Sequence, residues 1–335
     1  MRVIYTILLR ISFLIPTLLG LIILTFFIAY YVPANPAAAA AGPFADAETI
    51  ARITEKYGFD KPIPVQLWRY LKRLAKGDLG ESLYTHRDIS GEILRRFPVT
   101  MELVLCALAV SIFLGIPAGV ISAIKRNTVF DHLLRAVTIA GIALATFWIG
   151  IEFQLLVGYK AKMLPITGRF KGTPLDEITG FYLLDSILNW DKGALWVTIR
   201  HLILPTITLS IGPFATIVRF TRAGVLNILT SDYVTYERAM GLPRPLLIYK
   251  YVLRNALTST VSQIGLLFGY LLASGFVVEM VFSWPGMGAF AVESILMMDY
   301  NAVLGVAIYT GVAYSAGNLV ADILLILIDP REVAQ

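Results

Sequence analysis

Chemistry-bearing residues are scarce in this chain of 335 residues. It has one cysteine, Cys106, so no internal disulfide can form and redox chemistry leaves the compartment open. Its three histidines, His86, His132 and His201, fall in separate segments and read as surface or interfacial residues. There is no Walker loop, no HExxH, no Cys/His set with metal-ligand spacing and no GxSxG. Charged residues make up only 15%, where a soluble domain carries nearer a quarter. The composition therefore excludes an ordinary soluble enzyme, and any ATP or metal chemistry belongs to another chain.

What is abundant is apolar sequence: 57% hydrophobic residues and a mean hydropathy of +0.72. Roughly 20 consecutive apolar residues cross a bilayer as a helix. Residues 11–32 form the first such run, too long for a signal peptide and without a cleavage site, so it reads as a retained span. Further runs lie at about 103–124, 136–159, 202–218, 256–278 and 302–328. The fourth is short and holds Pro205, Gly212 and Pro213, which predicts a kink or close packing against neighbours. Glu152 interrupts the third run and Asp322 the sixth. The expected fold is an all-α membrane protein of six transmembrane helices, with both termini on one side.

Short loops rich in Lys and Arg set the orientation. Arg2 and Arg10, then Lys125, Arg126 and Arg135, then the basic residues of 219–254 all fall on one side. Residues 283–300 on the other side contain none. The termini are thus expected in the cytoplasm. The net charge of +5 reflects this sidedness, and no nucleic-acid partner is implied.

Residues 33–98 read as a small external helical insertion. Asp46 can cap a helix ending at Tyr57-Gly58. A second helix starts near Pro64, with Leu67, Trp68, Leu71 and Leu74 on one face and Arg69, Lys72, Arg73 and Lys76 on the other. That helix could lie on lipid headgroups, pack on its own domain or dock a soluble partner.

The most informative stretch is the basic island 219–256. Ser231 or Asp232 can cap a short helix through Tyr233, Val234, Glu237, Arg238 and Ala239, which Gly241 ends in a left-handed conformation before Leu242. Pro243 forbids continuation, and Pro245 suits the first turn of the next helix. The result is a rigid elbow: either a handle gripped by another protein or an ordinary interfacial linker.

Tyr233 to Leu242, followed by Arg254-Asn255-Ala256-Leu257, resembles the coupling loop of ABC importer permeases, most closely those of the dipeptide/oligopeptide/nickel group. Further signatures follow in order: Val32-Pro33-Ala34-Asn35-Pro36, Tyr57-Gly58-Phe59-Asp60-Lys61-Pro62, Gly77-Asp78-Leu79-Gly80, Phe147-Trp148, Pro165-Ile166-Thr167-Gly168-Arg169, Ser283-Trp284-Pro285-Gly286-Met287-Gly288 and Asp329-Pro330-Arg331. Glu237 replaces the loop's usual first alanine, Met240 its lysine and Asn35 an aspartate. The resemblance implies the type I importer (MetI-like) fold in a bacterial inner membrane. It implies an N-terminal helix over 1–32, the insertion 33–98, a five-helix transmembrane domain 99–328 and a cytoplasmic tail 329–335. It further implies a second homologous permease, two cytoplasmic ATPases that bind ATP and Mg, an external substrate-binding protein, and no cofactor or catalytic residue on this chain. Di- or oligopeptide is the expected substrate, with nickel chelates, haem, glutathione, antimicrobial peptides and sugars left open.

Glu152, Glu279, Trp284 and Asp322 are candidates for an outer gate or substrate path, because acids within apolar spans are costly and often functional. Glu152 could meet a cationic substrate group or pair with Arg135 or Lys160. Glu279 could face a gate or sit at headgroup level. Asn318 and Asp322 share a helix face and suit an inter-span hydrogen bond. An ion-coupled transporter or channel using Glu152, Glu279 and Asp322 is the rival reading.

Overall fold

A computed structural model describes residues 2–31, 37–38, 46–58, 60–172 and 176–328. The 32–36 signature, Phe59 and the 329–335 tail lie outside the described residues. The described residues are helical and loop, with an isolated bridge between Glu81 and Asp88. Helix α1 spans Arg2–Tyr31. The insertion carries α2 (Ala47–Tyr57) and α3 (Ile63–Leu74). Then come α4 (Ile89–Ile124), α5 (Val129–Ala143), α6 (Thr146–Phe153), α7 (Tyr182–Leu188) and α8 (Lys192–Leu229). After α9 (Asp232–Ala239), the chain ends in α10 (Leu253–Val281), α11 (Met287–Leu296) and α12 (Tyr300–Ile328).

Among the described residues, four helical stretches are long and apolar enough to cross a membrane: Ile89–Ile124, Lys192–Leu229, Arg244–Val281 and Tyr300–Ile323. Helices α5 and α6 together are apolar enough for a further crossing but meet at 106°, the geometry of a broken span or a re-entrant loop. The apolar run expected over 136–159 is therefore bent rather than one continuous helix. Leu144 and Ala145 are extended there, and α6 turns to pack on α8 and α10. No proline or glycine marks the break. The fourth run, expected to be kinked or closely packed, lies in a single 38-residue helix, α8, which keeps Pro205 and Pro213 inside it and takes the packed form. Packing explains this, since 67% of its apolar stretch is buried inside the protein. The residues expected to be the last of the insertion, 89–98, instead form the first turns of α4, capped by Asp88.

In the insertion, Asp46 caps α2 by accepting from the Thr49 amide at 3.0 Å, and Gly58 ends the helix at φ +71°. Three of the four residues on the apolar face of α3 are covered by the protein itself. Leu67, Leu71 and Leu74 pack with Tyr70 against Ile22, Phe26 and Met287, leaving Trp68, Arg69 and Lys72 outward. Asp299 fastens the insertion to α12: its carboxylate accepts from Ser82 Oγ, from the Leu83 amide at 3.1 Å and from the Ala302 amide at 3.2 Å.

The centre of the bundle is α8 against α4 and α10. Gly115 and Gly119 on α4 bring the backbones together, the small-xxx-small solution to packing where no hydrophobic force favours one apolar surface over another. A Cβ on Gly119 would stand 2.7 Å from the Thr221 Cβ and 2.8 Å from the Val218 carbonyl. Gly119→Leu is therefore expected to cost about 1–3 kcal/mol, seen as a lower melting temperature in detergent. Gly20→Leu, with open space around it, should leave melting unchanged. Equal melting of both variants would contradict this packing.

Candidate functional site

The elbow forms between α8 and α10. Ser231 takes the N-cap position of α9, but its hydroxyl turns back to the Ile228 carbonyl at 2.6 Å, so no side chain caps the helix. Asp232 instead places its charge in the first turn, where the helix dipole favours it. Gly241 adopts φ +82° and ends α9, as its position predicts. Pro243 and Pro245 start the next helix, which passes through one 3-residue turn (Arg244–Leu246) and a π-helical run (Leu247–Val252) into α10.

The elbow is seated on the bundle. Val234 is fully buried in a cluster with Val120 and Ala123 of α4, Val225 of α8, and Leu247, Val252 and Ala256. The Tyr233 hydroxyl accepts from Asn255 Nδ2 at 2.9 Å, tying α9 to the start of α10. Tyr236, Ala239 and Met240 point away at helical spacing and are exposed, a face without a partner in this chain among the described residues. Glu237 is partly buried beside that face, and Arg238 and Leu242 flank it.

At the same end lies a buried ion pair that sequence reasoning did not single out. Asp131 is inaccessible to solvent and accepts from Arg222 Nε at 2.8 Å and Nη2 at 2.9 Å. Ser122 Oγ (2.5 Å) and the Asn127 amide (3.1 Å) complete its hydrogen bonds. The set joins the α4–α5 turn to α8 one helical turn before the elbow cluster. Arg222 reads in sequence only as one basic residue of a cytoplasmic loop. The adjacency of Asp131 to an apolar run was the available signal.

The opposite end is built on two further carboxylates. Glu279, near the end of α10, is fully buried. Its Oε1 accepts from Thr100 Oγ1 at 2.5 Å, and its Oε2 from the amides of Gly288 (2.7 Å) and Ala289 (3.1 Å), so it caps α11. A Cβ on Gly286 would overlap this carboxylate, which explains a glycine there. Trp284 is also fully buried and donates from Nε1 to the Val99 carbonyl at 3.1 Å. Beside them Glu102 accepts from Arg169 Nε (3.0 Å) and Nη2 (2.6 Å) and from the Leu183 amide (2.7 Å). Arg169 stacks 3.8 Å from the Tyr182 ring centroid. Arg169 of the Pro165–Arg169 signature, like the Leu183 amide, is thus pinned to α4 through Glu102.

The structure brings Glu279 and Trp284 together but leaves the other two candidates elsewhere. Glu152, on α6, is half-buried and makes no hydrogen bond or ion pair among the described residues. The pairing with Arg135 expected as one option is not formed, because Arg135 lies 3.8 Å from Asp131. Asp322, on α12, is partly buried and already engaged. Its neighbour Asn318 lies where α12 crosses Gly265 of α10. Among the described residues no cluster of three His, Cys, Asp or Glu could hold a metal.

Two family models match the chain. The binding-protein-dependent transport system inner membrane component covers residues 115–333, and the N-terminal model of the same membrane components covers 3–104. The chain is 39% identical to the probable D,D-dipeptide transport system permease protein of Escherichia coli, over 93% of this chain and 92% of that protein. It is 37% identical to the dipeptide transport system permease protein of Alkalihalophilus pseudofirmus, over 96% and 97%. It is 33% identical to a glutathione transport system permease protein of Pectobacterium atrosepticum, over 96% of each chain.

Removing Arg222 leaves Asp131 with Ser122, the Asn127 amide and the more distant Arg135, so the cost is below the ~3–5 kcal/mol of a fully buried pair. Arg222→Ala should therefore melt below the wild type, and Arg222→Ala/Asp131→Ala should recover part of that loss. An Arg222→Ala protein as stable as the wild type would remove the pair from the account.

Proposed function

The chain belongs to the family of binding-protein-dependent transport system inner membrane components, the permease subunits of ABC importers, and from that membership we propose that it forms half of an ATP-driven pathway for di- or oligopeptides. It is a transport subunit rather than an enzyme. The relatives named for dipeptide transport support the peptide reading over the others that the family allows. In this proposal, a second homologous permease supplies the other half, and an external binding protein delivers the substrate. Two ATPase subunits bind ATP and Mg on the cytoplasmic side, where both termini also lie.

The observation that carries the coupling role is the exposed face of α9 on a buried seat. Val234 locks the short helix to α4, α8 and α10, while Tyr236, Ala239 and Met240 stay free for a partner groove. A force applied to that face passes into three helices at once instead of being lost in a flexible loop. Closure of the ATPases then tilts the bundle, and the two access states are distinguished by their affinity for substrate. Glu237, in place of a small residue, suits a groove that offers a basic side chain.

Glu152 is the candidate for meeting the positively charged amino terminus of a peptide, since its carboxylate is left without an internal partner among the described residues. The rival ion-path reading draws less support: Glu279 already spends its oxygens on Thr100 and the start of α11.

Deleting residues 233–242 should abolish ATP-driven uptake, and Ala239→Glu on the exposed face should do the same in a fully assembled protein. Uptake by either variant at the wild-type rate would sink the coupling role. For Glu152→Gln, loss of a charged hydrogen bond of about 1.5–3 kcal/mol predicts at least a tenfold weaker apparent affinity for a peptide with a free amino terminus. Unchanged uptake would remove Glu152 from the path.

A further inference from the structure

The end of the bundle opposite the elbow holds a basic groove. It lies between the π-helical continuation of α6 (Gln154–Lys160) and the first turns of α8, beside the 161–171 segment, and is an open groove of about 600 Å³. Lys162, Lys171 and Arg200 line it together with Trp196, Pro165 and Val197. No carboxylate lines it, and among the described residues none of the three cations forms an ion pair. Arg200 is held in place by donating from Nη2 to the Met163 carbonyl at 2.7 Å. Lys162 stands at φ +52°, a left-handed conformation that costs energy for any residue but glycine, yet a lysine occupies it.

The depth of the groove says what could fill it. The uncharged run of α8 starts at Leu202, two residues after Arg200. Lys162 follows by two residues the end of the apolar helix that closes at Lys160. The cations therefore sit where apolar surface gives way to polar surface. Around them Tyr159, Met163 and Trp196 are 67%, 65% and 62% exposed. Large amphipathic and apolar side chains ringing a basic pocket match a membrane interface, where aromatic residues gather at headgroup level. A cationic rim over an apolar floor of Leu164, Pro165 and Val197 is complementary to an amphiphile with an anionic head.

We propose that this groove binds the phosphate-bearing headgroup of an acidic phospholipid such as phosphatidylglycerol, with the acyl chains leaving past Met163 and Trp196. The bound lipid bridges α6 and α8, which residues 166–168 also join through Gln154 and His201. The inference needs the membrane setting alone and is independent of which substrate is carried.

Native mass spectrometry of the delipidated importer complex, titrated separately with phosphatidylglycerol and phosphatidylethanolamine, tests it. The wild type should retain one phosphatidylglycerol in clear preference to phosphatidylethanolamine. Lys162→Gln/Lys171→Gln should weaken that retention by about tenfold or more, as loss of two near-surface cations predicts, and leave phosphatidylethanolamine unaffected. Lys162→Arg/Lys171→Arg should keep it, which separates loss of charge from loss of fold. Equal retention of the two lipids by the wild type would overturn the proposal, as would full retention of phosphatidylglycerol by the glutamine variant. Displacement of the lipid by millimolar inorganic phosphate would also overturn it, in favour of a free phosphate site. None of these readouts depends on uptake, so a failure here is distinct from a failure of the transport reading.

Discussion

A carboxylate buried in a bundle that spans lipid has no water to turn to, so every oxygen must be satisfied by the protein. That constraint organises both ends of this molecule. Asp131 gathers Arg222, Ser122 and the Asn127 amide at the elbow end. Glu279 and Glu102 gather Thr100, Arg169 and three backbone amides at the other. In each case the donors come from different helices, so satisfying one charge fixes the relative position of two or three elements. The apolar middle, where α4 and α8 meet through glycines, supplies contact but little directional preference. The charges at the ends supply the register.

The elbow depends on this frame. Arg222 holds α8 to the α4–α5 turn, and Val225, less than a turn later, belongs to the cluster that receives Val234. The short helix α9 is too small to be stable by itself, since helices of this length are marginal in water. Its rigidity is borrowed from the seat, the left-handed stop at Gly241 and the two prolines that restart the chain. What remains outward is a small, aromatic-edged face, suited to insertion into a groove.

The elbow was legible in the sequence because its signals are local: Asp232, Gly241, Pro243 and Pro245 each act within a few residues. So were α2, through Asp46 and Gly58, and the apolar runs of α4, α8, α10 and α12. The family resemblance was legible for the same reason, being carried by short ordered motifs. The clamps were not, because Asp131 and Arg222 lie 91 residues apart, Glu102 and Arg169 67, and Thr100 and Glu279 179. One sequence does not say which buried acid meets which donor. Glu279 and Trp284 were singled out for position, but their contacts make them anchors of α11. The break between α5 and α6 carries no glycine or proline, so only packing against α8 and α10 produces it.

The central claim is that the outward face of α9 is where ATP-driven work enters this chain. The most direct test places a photoreactive amino acid at position 236 or 240 in cells and identifies what it captures in native membranes. A crosslink to a cytoplasmic Walker-type ATPase, altered in yield by trapping ATP, is the result the account predicts. Capture of lipid alone, or of a second copy of this chain with no ATPase, would contradict it.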